Sequence, residues 1–182
     1  YHWSFCFNNV FYSSKMNCNI KKATEFDLDF VLSLNQNSLS AVSYSNLEQM
    51  KYFLDISSYF KILRFENNPV GFLIGLMPGK DYKSENYIWV NRKYKSFIYI
   101  DRVIIEAKNR NKGLGVFFYN DLVKSFQGKV ENIICEVNVE PYNGQSLYFH
   151  GKYGFKEIGQ KDTENGTKRV SYLVYKMNKS LK

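Results

Sequence analysis

The stretch Phe97–Leu122, FIYIDRVIIEAKNRNKGLGVFFYNDL, constrains the fold more than any other part of the chain. Its β-branched and aromatic opening, Phe97 to Ile105, reads as a strand buried on both faces or nearly so. A polar turn, Glu106 to Lys112, leads through Gly113-Leu114-Gly115 into a helix on which Val116, Phe117, Tyr119 and Leu122 keep a roughly helical spacing. Strand, glycine-rich turn and helix start make an anion-binding device. The first N–H groups of a helix lack intrahelical partners and sit at the positive end of its dipole, and glycine lets a ligand approach the backbone.

The spacing narrows the anion. Gly113 and Gly115 are too close together for a phosphate loop, and Phe118 stands where a dinucleotide fingerprint needs a small residue. Composition narrows the class of protein. At 182 residues the chain suits one domain, and 45% hydrophobic with 18% aromatic residues argue for a real core. No apolar run approaches the ~20 residues of a membrane span, so no membrane association is expected. Cys6, Cys18 and Cys135 show no paired spacing, and with only His2 and His150 there is no metal-site pattern. A reducing cytoplasm is the expected compartment. The net charge of +8 comes from scattered lysines without a basic helical stripe, so no nucleic-acid partner is expected.

Residues 1–15, YHWSFCFNNVFYSSK, differ from the rest. They read as a non-native or upstream-translated extension, with the domain spanning residues 16–182 and Met16 as its natural start. An ordinary aromatic N-terminal arm is the alternative. Farther on, Asn19 to Ala23 reads as a strand, and Thr24 with Asp27 as a helix start carrying Phe26, Phe30, Val31 and Leu34 on one face. A second helix, near Leu47 to Leu54, places Leu47, Met50 and Leu54 together. Tyr59–Phe65 and Val70–Met77 form a hairpin about Glu66–Pro69. Pro78 to Ser96 reads as a long loop, a recognition lid or a hydrophobic flap. Asn132 to Val139 is a further strand, with Ile134, Glu136 and Asn138 on one face and Ile133, Cys135 and Val137 on the other. Asn143 caps a short helix, Gln145 to Lys152. Two last strands, Phe155–Ile158 and Arg169–Tyr175, flank an Asn-Gly turn.

Arg110-Asn111-Lys112-Gly113-Leu114-Gly115, between strand and helix, resembles the acetyl-CoA pyrophosphate loop of the GNAT N-acetyltransferase superfamily. Asn143, Ser146, Phe149-His150 and Gly154-Phe155 resemble that family's second motif. A looser resemblance, through Phe-His before Gly-Phe, is to a little-characterised bacterial GNAT subgroup. The similarity spans about Asn19 to Met177 with both motifs in order. It implies an α/β (α+β) fold whose mixed central sheet is splayed between the fourth and fifth strands, with flanking helices. Acetyl-CoA would be the cosubstrate, with no metal. Val103 and Ile105 would pair with the pantetheine arm and residues Asn111 to Gly115 would hold the pyrophosphate. Arg110 and Lys112 would add charge there, and Asn143 would line the cofactor site.

The same resemblance implies direct attack by a primary amine of a small molecule or a protein, in a ternary complex; a homodimer would be compatible with it. Where the family often has a tyrosine for the departing thiolate, this chain has His150. It would act as acid, or as base in another geometry, the alternative being a helix-end histidine on the last carbonyls. Asp101 and Glu136 are the candidate bases. Asp101 has the strand parity of Val103 and Ile105, with Arg102 on the opposite face; a buried ion pair is its alternative, and a cross-sheet hydrogen bond that of Glu136. The competing function is a noncatalytic CoA-binding sensor or scaffold.

Overall fold

The computed structural model describes residues 17–39 and 41–178. The expected boundary at Met16 therefore lies outside the described residues. The elements run β1 (Cys18–Lys22), α1 (Leu28–Gln36), α2 (Leu47–Ile56), β2 (Tyr59–Phe65), β3 (Asn68–Leu76) and α3 (Glu85–Lys93). They continue with β4 (Phe97–Ile105), α4 (Leu114–Phe126), β5 (Asn132–Glu140), α5 (Gly144–Tyr153), β6 (Lys156–Thr163) and β7 (Lys168–Lys176). The strands form one seven-stranded sheet in the order β1-β2-β3-β4-β5-β7-β6. Every pairing is antiparallel except that of β4 with β5.

Local chemistry sets most boundaries. Asn46 and Gln49 cap α2 reciprocally, each backbone N–H donating to the other's side chain at 3.1 and 2.9 Å. Glu66 and Asn67, with φ of 52° and 68°, make the tight turn between β2 and β3. Side chains on one face of the sheet pack against α1, α2 and α3, as with Phe72, Ile74 and Tyr99; those on the other, such as Leu73, Ile98 and Ile133, pack against α4.

Helix phase departs from the sequence reading in three places. Phe26 is 98% exposed instead of sharing a face with Val31 and Leu34, because it lies in a 3-10 turn, Glu25–Asp27, ahead of α1. The buried face of α2 carries Met50 and Phe53, while Leu47 is exposed. On α4 the buried series is Leu114, Phe118, Leu122 and Phe126 with Tyr119, and Val116 and Phe117 face outward. Gly113 starts that helix and fixes its phase, and an i, i+4 ladder follows from Leu114. Within the expected loop Pro78–Ser96 lies a full helix, α3, whose Ser84 side chain accepts from the Tyr87 N–H.

The feature that makes the site is where β4 and β5 part. They pair from Phe97 opposite Asn132 to Ile100 opposite Cys135, and no farther. On β4 the register against β3 jumps at this point: Gly75 is opposite Ile100 but Ile74 is opposite Arg102, so Asp101 is an extra residue. On β5 the register against β7 jumps between Asn138 and Glu140. A bulge bends the strand that carries it. The sheet is thus splayed between its fourth and fifth strands, as the family resemblance implies.

Candidate active site

The α4 face of the split opens on a cavity of about 690 Å³ bounded by Val103, Ile105, Arg110, Asn111, Gly113–Val116 and α5. Gly113, at φ 77°, is in the left-handed region and starts the helix with no side-chain cap on its N–H groups. Those donors are left for an anion. The Glu106 N–H bonds the Val70 carbonyl at 2.8 Å. By ladder alternation Ile104 also points its backbone groups at β3, while Val103 and Ile105 point theirs into the split. Arg110 spans the mouth, its Nε donating to the Ile105 carbonyl at 3.1 Å and its Nη1 to Gln145 Oε1 at 3.4 Å. Lys112 turns away: its Nζ donates to Asn109 at 2.9 Å and lies over the Phe65 ring, outside the cavity lining. Lys152 lines the cavity in addition. Gly115 has a packing reason of its own, since a Cβ there would meet the Phe149 ring at 2.9 Å.

The opposite face of the split opens on a second cavity, of about 710 Å³, with Glu136, Asp101 and Arg102 among its lining and Tyr82 and Asn86 on its wall. Glu136 points to this face, as the alternation of β5 requires. Its Oε1 accepts from Tyr99 at 2.9 Å and from Asn86 at 3.0 Å, while its Oε2 is buried without a protein partner. Burial pushes its carboxyl up to about 8; the Asp101 charge pushes the same way, and the bonds from Tyr99 and Asn86 pull back.

Asp101 departs from the expected geometry. Arg102 does not point away from it: Arg102 Nε donates to Asp101 Oδ2 at 2.7 Å in a pair whose side chains are 8% and 5% exposed. The bulge is the cause, because an extra residue puts two successive side chains on one face. Asp101 Oδ1 accepts from Tyr82 at 2.5 Å, so both carboxylate oxygens are engaged. Arg102 is completed by Asn35, a fully buried side chain at the end of α1, at 2.8 Å.

The two cavities share Val103, Tyr119, Asn143, Ser146 and His150 as lining. His150 is buried, with Nδ1 2.7 Å from the Ser146 carbonyl and Nε2 2.8 Å from the Tyr119 hydroxyl. A carbonyl accepts only, so Nδ1 carries the proton and Nε2 accepts from Tyr119. Burial holds His150 below its ordinary value and lifts the Tyr119 phenol well above its own, so the couple stays neutral near pH 7. Asn143 accepts the Ser146 N–H at 3.2 Å as the cap of α5, leaving its amide NH2 for a ligand.

Lowered in the folded state, the His150 value makes stability fall as pH drops below about 6.5, because the unfolded chain then binds a proton the folded one resists. His150→Phe should remove that slope, and should cost about 1–3 kcal/mol at pH 7.5 by orphaning the Tyr119 hydroxyl. Thermal unfolding of both proteins between pH 5 and 8 measures it; parallel curves would reject this account of the histidine.

No protein-family model matches the sequence, and a search of curated proteins gives no match. Solved structures do match in shape. Ard1 from Thermoplasma volcanium superposes at a TM-score of 0.71 with 15% identity, over 88% of this chain and 98% of that one. NAA60 from Arabidopsis thaliana, in complex with a bisubstrate analogue, gives 0.71 and 14% over 90% and 99%. A GNAT-family acetyltransferase from Streptococcus pneumoniae gives 0.65 and 16% over 88% and 99%.

The chain has the GNAT fold.

Within this GNAT fold, Val103, Ile105, Arg110, Asn111, Gly113, Leu114, Gly115, Asn143 and His150 gather at one cavity and Asp101 and Glu136 at the other. Lys112 joins neither. Tyr119, which the sequence places only in the apolar spacing of its helix, joins the site, as do Tyr82, Asn86 and Asn35, to none of which the sequence gives an individual role. A signal existed for Tyr119 alone, four residues past Gly115 on the helix that abuts the split. Among the described residues no group of three or more His, Cys, Asp or Glu is placed to hold a metal ion, and no helix is long and apolar enough to cross a membrane.

Proposed function

We propose that this protein transfers an acetyl group from acetyl-CoA to a primary amine by direct attack in a ternary complex. The observation that carries the reading is the meeting of two cavities at the split between β4 and β5. One is headed by the uncapped N-terminus of α4, and the other is floored by a buried carboxylate with a free oxygen. The α4 N–H groups and Arg110 suit the pyrophosphate, and the backbone groups of Val103 with the Ile105 N–H suit an amide-bearing arm, the Ile105 carbonyl being taken by Arg110. Asn143 has an amide NH2 to offer beside that arm.

Acetyl-CoA supplies an activated acyl group on a thioester, whose C–S bond breaks as the new C–N bond forms. The chain's own work is proton handling. Glu136 Oε2 accepts one proton from the acceptor ammonium; a carboxyl raised to about 8 is far closer to an amine than an ordinary glutamate. The second proton of the nitrogen ends on the departing thiolate. We place the Tyr119 hydroxyl beside that sulfur as the relay: its O–H turns from His150 Nε2 to the sulfur while its oxygen takes up the proton that leaves the nitrogen, so His150 is a positioning residue here instead of a free acid. Asp101, with both oxygens engaged, holds Arg102 and Tyr82, and its charge is paired with Arg102, which leaves the Glu136 carboxylate as the anionic group of the floor. That floor suits a cationic acceptor, either a small amine or a protein amine at an N-terminus or lysine.

Acetyl-CoA titrated by calorimetry, with ATP and NAD as controls, followed by thiol release over an amine panel, tests the reading. Binding with amine-dependent release is the expected result. Binding with no release from small amines or peptides would favour a CoA sensor, and no binding would reject both.

A further inference from the structure

The segment joining β3 to β4 hands a donor to each buried carboxylate of the larger cavity. Tyr82 gives one to Asp101, and Asn86, in the first turn of α3, gives one to Glu136. The second contact is built from behind. The Tyr172 hydroxyl of β7 donates to Asn86 Oδ1 at 2.8 Å, so the amide has one orientation, with its NH2 toward Glu136. Tyr172 is held in turn by Trp89, one turn along α3, whose ring stacks on it at 3.9 Å and 6°. Lys93 closes the stack 4.2 Å over Trp89. Both ends of the Asn86 amide are therefore pinned, the NH2 on β5 and the oxygen on β7.

We propose that Asn86 is a positioning residue for Glu136: clamped by Tyr172, it holds Oε1 on the protein side and leaves Oε2 as the oxygen that meets the acceptor nitrogen. This rests on the reading of Glu136 as the proton acceptor in amine acylation. The geometry favours it over a merely structural bond. Asn86 and Tyr99 saturate one oxygen from two different elements, while the other is buried and unpartnered. The groups around the carboxyl are Tyr99 and Asp101 of β4, Tyr82 ahead of α3, Asn86 of α3 and Tyr172 of β7. The Asp101 charge is already paired with Arg102, so neutral donors do the holding. Losing one of them should make the charged form of Glu136 harder to reach.

The test uses the full chain and reads Glu136 with and without turnover. Infrared pH titration of wild type minus Glu136→Gln gives the midpoint of this carboxyl with no substrate present. Asn86→Leu should raise that midpoint by about one pH unit, and Tyr172→Phe should raise it less. The pH profile of kcat/KM for amine acetylation should move with it, while KM for acetyl-CoA stays put. If Asn86→Leu fails to fold, Tyr172→Phe carries the test. Wild-type midpoints in the folded variants would overturn the inference, even if thiol release were intact. A shifted midpoint in a protein that acetylates no amine would uphold the clamp and instead overturn the acyltransfer reading.

Discussion

Glu136→Gln should lower amine-dependent thiol release by about 10²–10⁴-fold, the range for loss of a general base, and should also make the protein more stable. The sign follows from the raised carboxyl. Between the ordinary glutamate value of 4.5 and about 8 the unfolded chain releases a proton that the folded chain keeps, so folding weakens as pH rises through that window. Glutamine has no proton to lose. The variant should match wild type near pH 4 and gain ~1.4 kcal/mol for each pH unit of the window above it, read as a rising difference in Tm. The amide also keeps an oxygen for Tyr99 and Asn86 to bond. An equally active variant would remove Glu136 from the chemistry. A stability difference that did not grow with pH would mean the carboxyl is not raised.

Gly113→Val should weaken acetyl-CoA binding by at least about 100-fold, the loss of two charge-assisted hydrogen bonds at ~1.4 kcal/mol per tenfold, while the fold survives. At φ 77° a β-branched residue is strained, so the first turn of α4 must re-form and its N–H groups lose their aim. The residue is exposed, so no core contact is lost. Calorimetric titration beside a circular dichroism melt separates the two effects. Wild-type affinity would take the pyrophosphate away from this turn. Gly115→Ala makes a control of a different kind, because its Cβ presses on Phe149 and its first effect is on packing.

How far the sequence carried the reading depends on which residues carry local signals. Strand alternation, the Asn143 cap and the glycine turn are written within a few neighbours, and they placed most strands and the two faces of β5 correctly, whereas the split was implied only by the family resemblance of the two motifs. The helix α3 was invisible because only Tyr87 and Val90 of its nine residues are buried, so no apolar stripe marks it. The pairing of Asp101 with Arg102 was misread for a sharper reason. Alternation forbids it, and only the register against β3, a nonlocal fact, reveals the extra residue. Lys112 shows the same limit on a smaller scale: its place in the loop motif was clear, but Asn109 and Phe65 decide where its side chain goes.

The bulge at Asp101 ties two properties of the site to one residue. Gly75 already faces Ile100 and Ile74 already faces Arg102, so deleting Asp101 would leave Arg102 through Ile105 on their present faces and restore an ordinary ladder. What would go is the bend in β4 and, with it, the carboxylate that holds Arg102 and Tyr82. The opening of the sheet and the anchoring of its floor thus depend on the same inserted position, and a single deletion would narrow the one and strip the other together.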